Sequence, residues 1–195
     1  MFNQASTFLL QTIEFVLVYP ALLRFYMQLF RAPPRNPLVP VVMALTDFAV
    51  RRLRRFVPGL SGLDLSSLFW AWIVEILILL AFFALTGANV LMGGPQVLPV
   101  ILFLALVKLF GMSLYLLIFA TLVQAILSWV SAYNPLMPVF DSLTRPFLRP
   151  VQRILPRIGN VDFSPLVVFV ICQLILMVPV RLLESMAMRM IPLTA

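Results

Sequence analysis

The chain contains no histidine and one cysteine among its 195 residues. The lack of histidine removes the commonest metal ligand and general base, together with histidine-ligated haem, which argues strongly against most metalloenzymes. The single cysteine, Cys172, lies in an apolar run and cannot form an intramolecular disulfide. The sequence also has no P-loop and no evident nucleophile–base pair. We therefore expect no enzymatic activity, no cofactor and no metal.

Charged residues are scarce as well, at 11% of the chain, whereas 63% of the residues are hydrophobic. A soluble globular domain is about half apolar and about a quarter charged. Several apolar runs reach the ~20 residues that a helix needs to cross a bilayer, so the length allows about four crossings and no separate soluble domain. The first residues lack the basic region of a signal peptide, and we expect no cleavage. The composition predicts an all-α integral membrane protein.

An internal repeat organises the chain. Residues 36–68 align without a gap on residues 134–166 at an offset of 98 positions, and 13 of the 33 paired residues are identical. Both copies begin with Asn-Pro, continue through a basic stretch and end with Asp-x-Ser before an apolar run. The protein therefore consists of two copies of one unit.

The apolar runs predict four membrane spans, at residues 8–30, 68–85, 100–130 and 164–179. Each copy of the repeat contains a basic amphipathic segment, which is too basic to span and is expected at the membrane interface. The predicted fold has four transmembrane helices as two parallel helix pairs, each pair joined by such a segment.

The predicted domain division follows from the same pattern. Residues 1–86 form the first unit, residues 87–99 a turn, and residues 100–195 the second unit with a short C-terminal tail. Within the second amphipathic segment, Pro150 is expected to kink or end a helix begun near Thr144.

The distribution of basic residues predicts the orientation. The two linkers between paired spans hold ten of the 14 lysines and arginines, whereas residues 1–7 and 86–99 hold none. The positive-inside rule then places both linkers on the cytoplasmic face, or on the stromal face in a plastid, and both termini on the other face. In a bacterial cell the protein is expected in the inner membrane, with periplasmic termini and a periplasmic turn.

The linker arginines are the candidate residues for binding lipids or partner proteins. Two interpretations are open: a basic face that anchors on anionic lipid, and a dedicated site for a protein or a phosphate-bearing ligand. A surface that lies against lipid makes nucleic acid an unexpected partner. The candidate residues are Arg51, Arg52, Arg54, Arg55, Arg145, Arg149, Arg153 and Arg157.

Charged residues inside apolar runs usually face the interior of a helix bundle. Arg24 lies about 9 Å from the inner end of the first span and Glu75 about 10.5 Å from the start of the second, at ~1.5 Å per residue. We therefore predict an intramembrane pair between Arg24 and Glu75, acting as a structural lock or as part of an ion or proton path. Lys108 and Glu14 are expected near the outer interface.

Four polar residues directly precede apolar runs in the two copies, and they predict helix N-caps. The alternative is a cation or proton site, if the two carboxylates converge. The residues are Asp64, Ser66, Asp162 and Ser164.

The ordered set of apolar helix, Asn-Pro, basic amphipathic stretch, Asp-x-Ser and apolar helix resembles the YggT family. The second copy reads RPFLRPVQRILPRIGNVDFSP, preceded by AILSWVSAYNP; the first copy reads VRRLRRFVPGLSGLDLSSL, preceded by LLRFYMQLF. The family pattern often has an arginine shortly before Ser-Trp. Arg24 is its counterpart in the first copy, whereas the second copy has Gln124, so the resemblance does not imply a symmetric two-site mechanism.

The resemblance implies a polytopic inner-membrane or thylakoid protein with no established enzymatic activity. Members are associated with cell division and envelope organisation, with osmotic or ion homeostasis and, in plastids, with cytochrome assembly. The favoured hypothesis is a structural or assembly factor that docks on anionic lipid and on other membrane proteins through its basic segments. The alternative is a small ion transporter or channel, which would require a homo-oligomer because four helices leave little room for a pore.

Overall fold

The computed structural model describes residues 2–57, 59, 63–86, 94–130, 134–154 and 162–191. These residues form seven α-helices, two of which are joined by a π-helical turn at Leu176–Val180. The α-helices are α1 (Phe2–Leu29), α2 (Leu38–Leu53), α3 (Leu65–Leu85), α4 (Val97–Val130), α5 (Met137–Ile154), α6 (Ser164–Ile175) and α7 (Arg181–Met190).

Four helical segments are long and apolar enough to cross a membrane. They are Gln4–Leu29, Leu65–Leu85, Val97–Trp129 and Ser164–Met190. The prediction of an all-α membrane protein with four spans is therefore confirmed.

The fourth span is longer than its sequence suggested. The prediction ended it near Pro179, but α6 continues through the π-helical turn into α7 and reaches Met190. Proline has no backbone N–H to donate to the preceding turn, and the wider π-helical turn accommodates that loss without ending the helix.

The helix α5 passes through two prolines. It runs from Met137 to Ile154 with Pro146 and Pro150 inside, so the helix does not end at Pro150, and the expected alternative, a kink at Pro150, stays a prediction. The helix buries one apolar side against the bundle, and this packing offsets the backbone hydrogen bonds that the prolines remove. The buried residues are Val139, Phe140, Leu143, Thr144 and Leu148.

The two amphipathic helices share one core at the same end of the bundle. Val42 of α2 and Val139 of α5 pack with Met27 of α1 and Ala120 of α4. The most extensive contact between two helices is that of α1 with α3, and α4 touches α3 as well as α5, α6 and α7. Because α4 packs on helices from both halves, the division into units 1–86 and 100–195 stays a prediction.

Candidate functional site

The first polar site is built around Arg24, which lies on α1 and is only 4% exposed. Its Nε donates a hydrogen bond to Oδ2 of Asp64 at 3.1 Å, and its Nη1 donates to Oδ1 of Asp47 and Oγ1 of Thr46, both at 2.7 Å. Oδ2 of Asp64 also pairs with Nη2 of Arg54 at 2.5 Å. Since a guanidinium carries several donors in a planar fork, Arg24 ties α1 to α2 and to the residue before α3.

The predicted pair between Arg24 and Glu75 is wrong. The guanidinium of Arg24 is taken by Asp47 and Asp64, whereas Oε1 of Glu75 accepts a hydrogen bond from Nζ of Lys108 at 2.9 Å. Depth along two helices does not determine which faces of those helices meet. The prediction also considered only charges inside the spans, and both carboxylates that pair with Arg24 lie outside them.

The second repeat contains amide groups where the first contains guanidinium groups. Gln124 of α4 accepts a hydrogen bond from Oγ1 of Thr144 and donates one to Oδ1 of Asp141 at 3.3 Å. Gln152 of α5 donates to Oδ2 of Asp162 at 2.8 Å. The second site therefore joins α4, α5 and the start of α6 through neutral donors.

The two sites occupy equivalent positions in the repeats. In each, a residue near the end of a long span contacts a buried threonine on the amphipathic helix, and a later residue of that helix contacts the aspartate before the next span. This geometry confirms Gln124 as the counterpart of Arg24. The equivalent pairs are Arg24 and Gln124, Thr46 and Thr144, Arg54 and Gln152, and Asp64 and Asp162.

The predicted helix caps differ in outcome. Asp64 makes no side-chain cap on α3: its Oδ2 binds two guanidinium groups, and its Oδ1 has no hydrogen-bond partner among the described residues. Ser66 donates to the carbonyl of Val57 at 2.7 Å, and Oγ of Ser164 has no hydrogen-bond partner among the described residues. Oδ1 of Asp162 accepts from the backbone N–H of Ser164 at 2.9 Å, but the N-cap position of α6 is Phe163 and the helix has no side-chain cap hydrogen bond.

The two Asn-Pro motifs lie against each other. Nδ2 of Asn36 donates to the carbonyl of Pro135 at 2.7 Å, which joins the start of α2 to the start of α5. The side-chain oxygens of Asn36 and Asn134 each accept a hydrogen bond from the backbone N–H two residues later, in Leu38 and Leu136, at 2.9 Å. The repeated asparagine thus forms the turn before each amphipathic helix and, in the first copy, also connects the repeats.

The linker arginines form what we call the basic surface. All those within the described residues are exposed, including Arg54, whose side chain is 50% exposed although it pairs with Asp64. Arg157 lies outside the described residues. The basic surface consists of Arg51, Arg52, Arg54, Arg55, Arg145, Arg149 and Arg153.

Large apolar side chains are exposed beside the basic surface. Phe48 of α2 is 55% exposed and Phe147 of α5 is 41% exposed, and Phe56 and Ile154, next to arginines, are each more than 80% exposed. Each amphipathic helix thus packs one side on the bundle and presents arginines and apolar groups on the other. This combination suits a boundary between lipid headgroups and acyl chains.

A third polar site lies within the spans and consists of Glu14, Glu75 and Lys108. We call these three residues the glutamate–lysine cluster. Nζ of Lys108 lies 2.9 Å from Oε1 of Glu75 and 3.9 Å from Oε1 of Glu14. Glu75 is fully buried, and its Oε2 has no hydrogen-bond partner among the described residues. The side chain of Lys108 thus contacts Glu75. The prediction placed Lys108 near the outer interface and did not include this contact.

The glutamate–lysine cluster borders a crevice of about 340 Å³ between α1, α4 and the last span. Leu176 and Val180 of the π-helical turn form part of its wall. Lysine occurs once in the chain and glutamate three times, and all four residues lie at the crevice or in contact with it. The polar residues that line it are Glu14, Tyr19, Lys108, Tyr115, Gln173, Arg181 and Glu184.

The described residues contain no group of three or more histidine, cysteine, aspartate or glutamate side chains able to hold a metal ion. Cys172 is buried in an apolar cluster with Val168 and Leu176, and its role is packing.

Comparison with known proteins gives one family and several relatives. The family model described as CCB3/YggT matches residues 3–85 and 103–183. An uncharacterized protein of Pseudomonas aeruginosa is 32% identical over 186 residues, covering 94% of this chain and 92% of the relative. The uncharacterized protein YggT of Escherichia coli is 32% identical over 187 residues, covering 95% of each chain. No solved structure matches.

Proposed function

The chain belongs to the CCB3/YggT family of membrane proteins, and we propose that it is a non-enzymatic structural or assembly factor that docks anionic lipids and other membrane proteins through its basic surface. In this proposal the basic surface is cytoplasmic, both termini are periplasmic and the membrane is the bacterial inner membrane. The observation that carries the proposal is the exposure of arginines from both amphipathic helices at one end of the bundle.

Lipid binding by this surface has a clear energetic basis. An arginine near an anionic membrane surface contributes about 1 kcal/mol of attraction. The exposed apolar side chains beside the arginines, such as Phe48 and Phe147, would add burial among acyl chains. Neither charge nor apolar area alone would hold the helices at the headgroup level, and both are present on each helix.

Rigid attachment of the two helices supports docking of partner proteins as well. Arg24 anchors α2 to α1, Gln124 anchors α5 to α4, and Asn36 joins the starts of α2 and α5. A surface held in one arrangement before binding loses less conformational entropy when a partner docks. The arginines of both repeats can therefore act as one preformed surface.

The lipid part of the proposal can be tested with the full chain in detergent micelles. Native mass spectrometry would count the phosphatidylglycerol and phosphatidylcholine molecules retained by the wild type and by the double variant Arg149→Gln, Arg153→Gln. We expect the double variant to lose its preference for phosphatidylglycerol. The matched control is Arg189→Gln, which removes an exposed arginine from α7, outside the basic surface. Equal phosphatidylglycerol retention by wild type and double variant would refute lipid docking through Arg149 and Arg153 of α5.

The partner part needs an experiment in cells. A photo-crosslinking amino acid at position 149 is expected to capture a membrane protein, and the Arg153→Gln change in the same chain should reduce that capture. The same amino acid at position 189 is the control. Capture that is equal at both positions would indicate random collision in the membrane and would contradict the proposal.

One observation favours a second candidate function, a small ion transporter or channel. Glu75 and Lys108 place opposite charges deep within the spans beside a crevice, and intramembrane charges often mark ion pathways. The test is ion flux through liposomes that contain the purified chain. Potassium or proton flux that Glu75→Gln abolishes and that the Arg149→Gln, Arg153→Gln variant retains would favour this function over docking.

A further inference from the structure

We propose that the glutamate–lysine cluster is a proton-binding site, which takes up one proton per chain from water in the crevice. The proposal concerns residues that the docking function does not use. It is built on the charge balance of the cluster, the unpartnered oxygen of Glu75 and the access that the crevice provides.

The charge balance of the cluster is incomplete. Two carboxylates, on Glu14 and Glu75, surround the single ammonium of Lys108 at 3.9 Å and 2.9 Å. With both carboxylates ionised the cluster carries one net negative charge. The uncompensated charge is unfavourable at Glu75, which is fully buried and so is not solvated by water in the crevice. One added positive charge makes the cluster neutral.

The open position on Glu75 suits a proton better than a metal ion. Oε1 of Glu75 is occupied by Lys108, whereas Oε2 is buried and has no hydrogen-bond partner in the described part of the chain. A metal cation would require several oxygen ligands around that position. A proton requires one oxygen only. Its binding to Oε2 of Glu75 would convert the carboxylate into a neutral carboxyl group.

The crevice provides the route for the proton. Lys108 and Glu14 line it, whereas Glu75 lies behind Lys108 and is reached through these two side chains. The other titratable groups that face the crevice are Tyr19 of α1, Tyr115 of α4, and Arg181 and Glu184 of α7. Arg181 and Glu184 carry opposite charges, so together they do not supply the missing positive charge.

The step is a simple proton transfer. A hydronium ion in the crevice donates its proton to a carboxylate of the cluster and becomes water, and an O–H bond forms on Glu14 or Glu75. The net charge of the cluster changes from minus one to zero. The contact between Lys108 and the two glutamates then consists of one ion pair and one neutral carboxyl group, shared by α1, α3 and α4.

The experiment is infrared difference spectroscopy of the full chain in phosphatidylcholine vesicles, which detects the C=O stretch of protonated carboxyl groups. At about pH 7 we expect a band equivalent to one protonated carboxyl per chain in the wild type. Either Glu75→Gln or Glu14→Gln should abolish this band. Each variant leaves one carboxylate beside the ammonium of Lys108, and the charges of these two groups sum to zero without a bound proton. Lys108→Met should about double it, because two carboxylates then need two protons. Asp141→Asn, which changes a carboxylate outside the spans, should leave the band unchanged.

The two glutamine variants make the test robust to misfolding. If Glu75→Gln does not assemble in the membrane, Glu14→Gln, at a partly exposed residue, decides the outcome alone. A band that persists in Glu14→Gln would overturn the proposal, since the charge balance of the cluster would not govern protonation. An absent wild-type band, with a carboxylate signal that shifts on adding sodium or potassium, would also overturn it in favour of a metal cation.

Discussion

The first and second repeats solve the same structural problem with different chemistry. Arg24 and Arg54 bind Asp64 through ion pairs in the first repeat, whereas the equivalent residues of the second repeat, Gln124 and Gln152, use neutral amides. Thr46 and Asp64 have identical counterparts in Thr144 and Asp162, whereas Asp47 and Asp141 lie at positions that are not equivalent. The scaffold thus tolerates guanidinium groups at these two positions in the first repeat and amide groups in the second.

The difference has an energetic consequence. A buried ion pair is sensitive to the loss of one partner, because the remaining charge is left uncompensated, at a cost of about 3–5 kcal/mol. A neutral hydrogen bond contributes about 1 kcal/mol, so its loss is milder. Equivalent substitutions in the two repeats should therefore have unequal effects.

The largest effect is expected for Arg24→Met. The change keeps an apolar stem of similar length but leaves Asp47 and Asp64 without their buried guanidinium. We expect the free energy of unfolding to fall by about 2–3 kcal/mol, measured by denaturation in mixed micelles. The loss is limited because Asp64 keeps its pair with Arg54 and the side chain of Asp47 is 40% exposed. A loss no greater than that of Gln124→Met would mean that the two repeats are held equally strongly.

Asp64→Asn should have an intermediate effect. Asparagine keeps one oxygen as an acceptor, but both ion pairs to Arg24 and Arg54 lose their negative partner. We expect a destabilisation of about 1–3 kcal/mol relative to the wild type. Thermal denaturation of both proteins in the same detergent is the measurement, and unchanged stability of the variant would contradict the prediction.

Asn36→Ala should be more harmful than Asn134→Ala. Both changes remove a turn-forming hydrogen bond, but only Asn36 also donates to Pro135 across the repeats among the contacts of the described residues. We expect a loss of about 1–2 kcal/mol for Asn36→Ala and about 1 kcal/mol for Asn134→Ala. Protease susceptibility of the α1–α2 and α4–α5 connections would show whether the loosening spreads to both copies, as a shared contact requires.

The smallest effect is expected for Gln124→Leu. Leucine removes a hydrogen bond to Thr144 and one to Asp141, but Thr144 keeps its bond to the carbonyl of Phe140 and Asp141 is only partly buried. We expect a change of about 1 kcal/mol or less. Equilibrium unfolding is the measurement, and a loss as large as that of Arg24→Met would refute the comparison between charged and neutral sites.

Several features were readable from the chain alone. Hydropathy and length predicted the four spans because apolar side chains must face lipid or each other over ~20 residues. The resemblance to the YggT family pattern predicted Gln124 at the position of Arg24, and the shared contact with a buried threonine supports it. Both features depend on short stretches of sequence: the length of an apolar run, and the place of a residue relative to a motif.

Only the tertiary structure decided which charged groups meet. Arg24 pairs with Asp47 and Asp64 instead of Glu75, and Glu75 pairs with Lys108, because helix rotation and the path of α2 determine the contacts. Depth along a span is a one-dimensional quantity, whereas a salt bridge depends on the facing sides of two helices. The continuation of α5 through Pro150 likewise depends on packing of the helix against the bundle. Local helix propensity does not include this tertiary contribution.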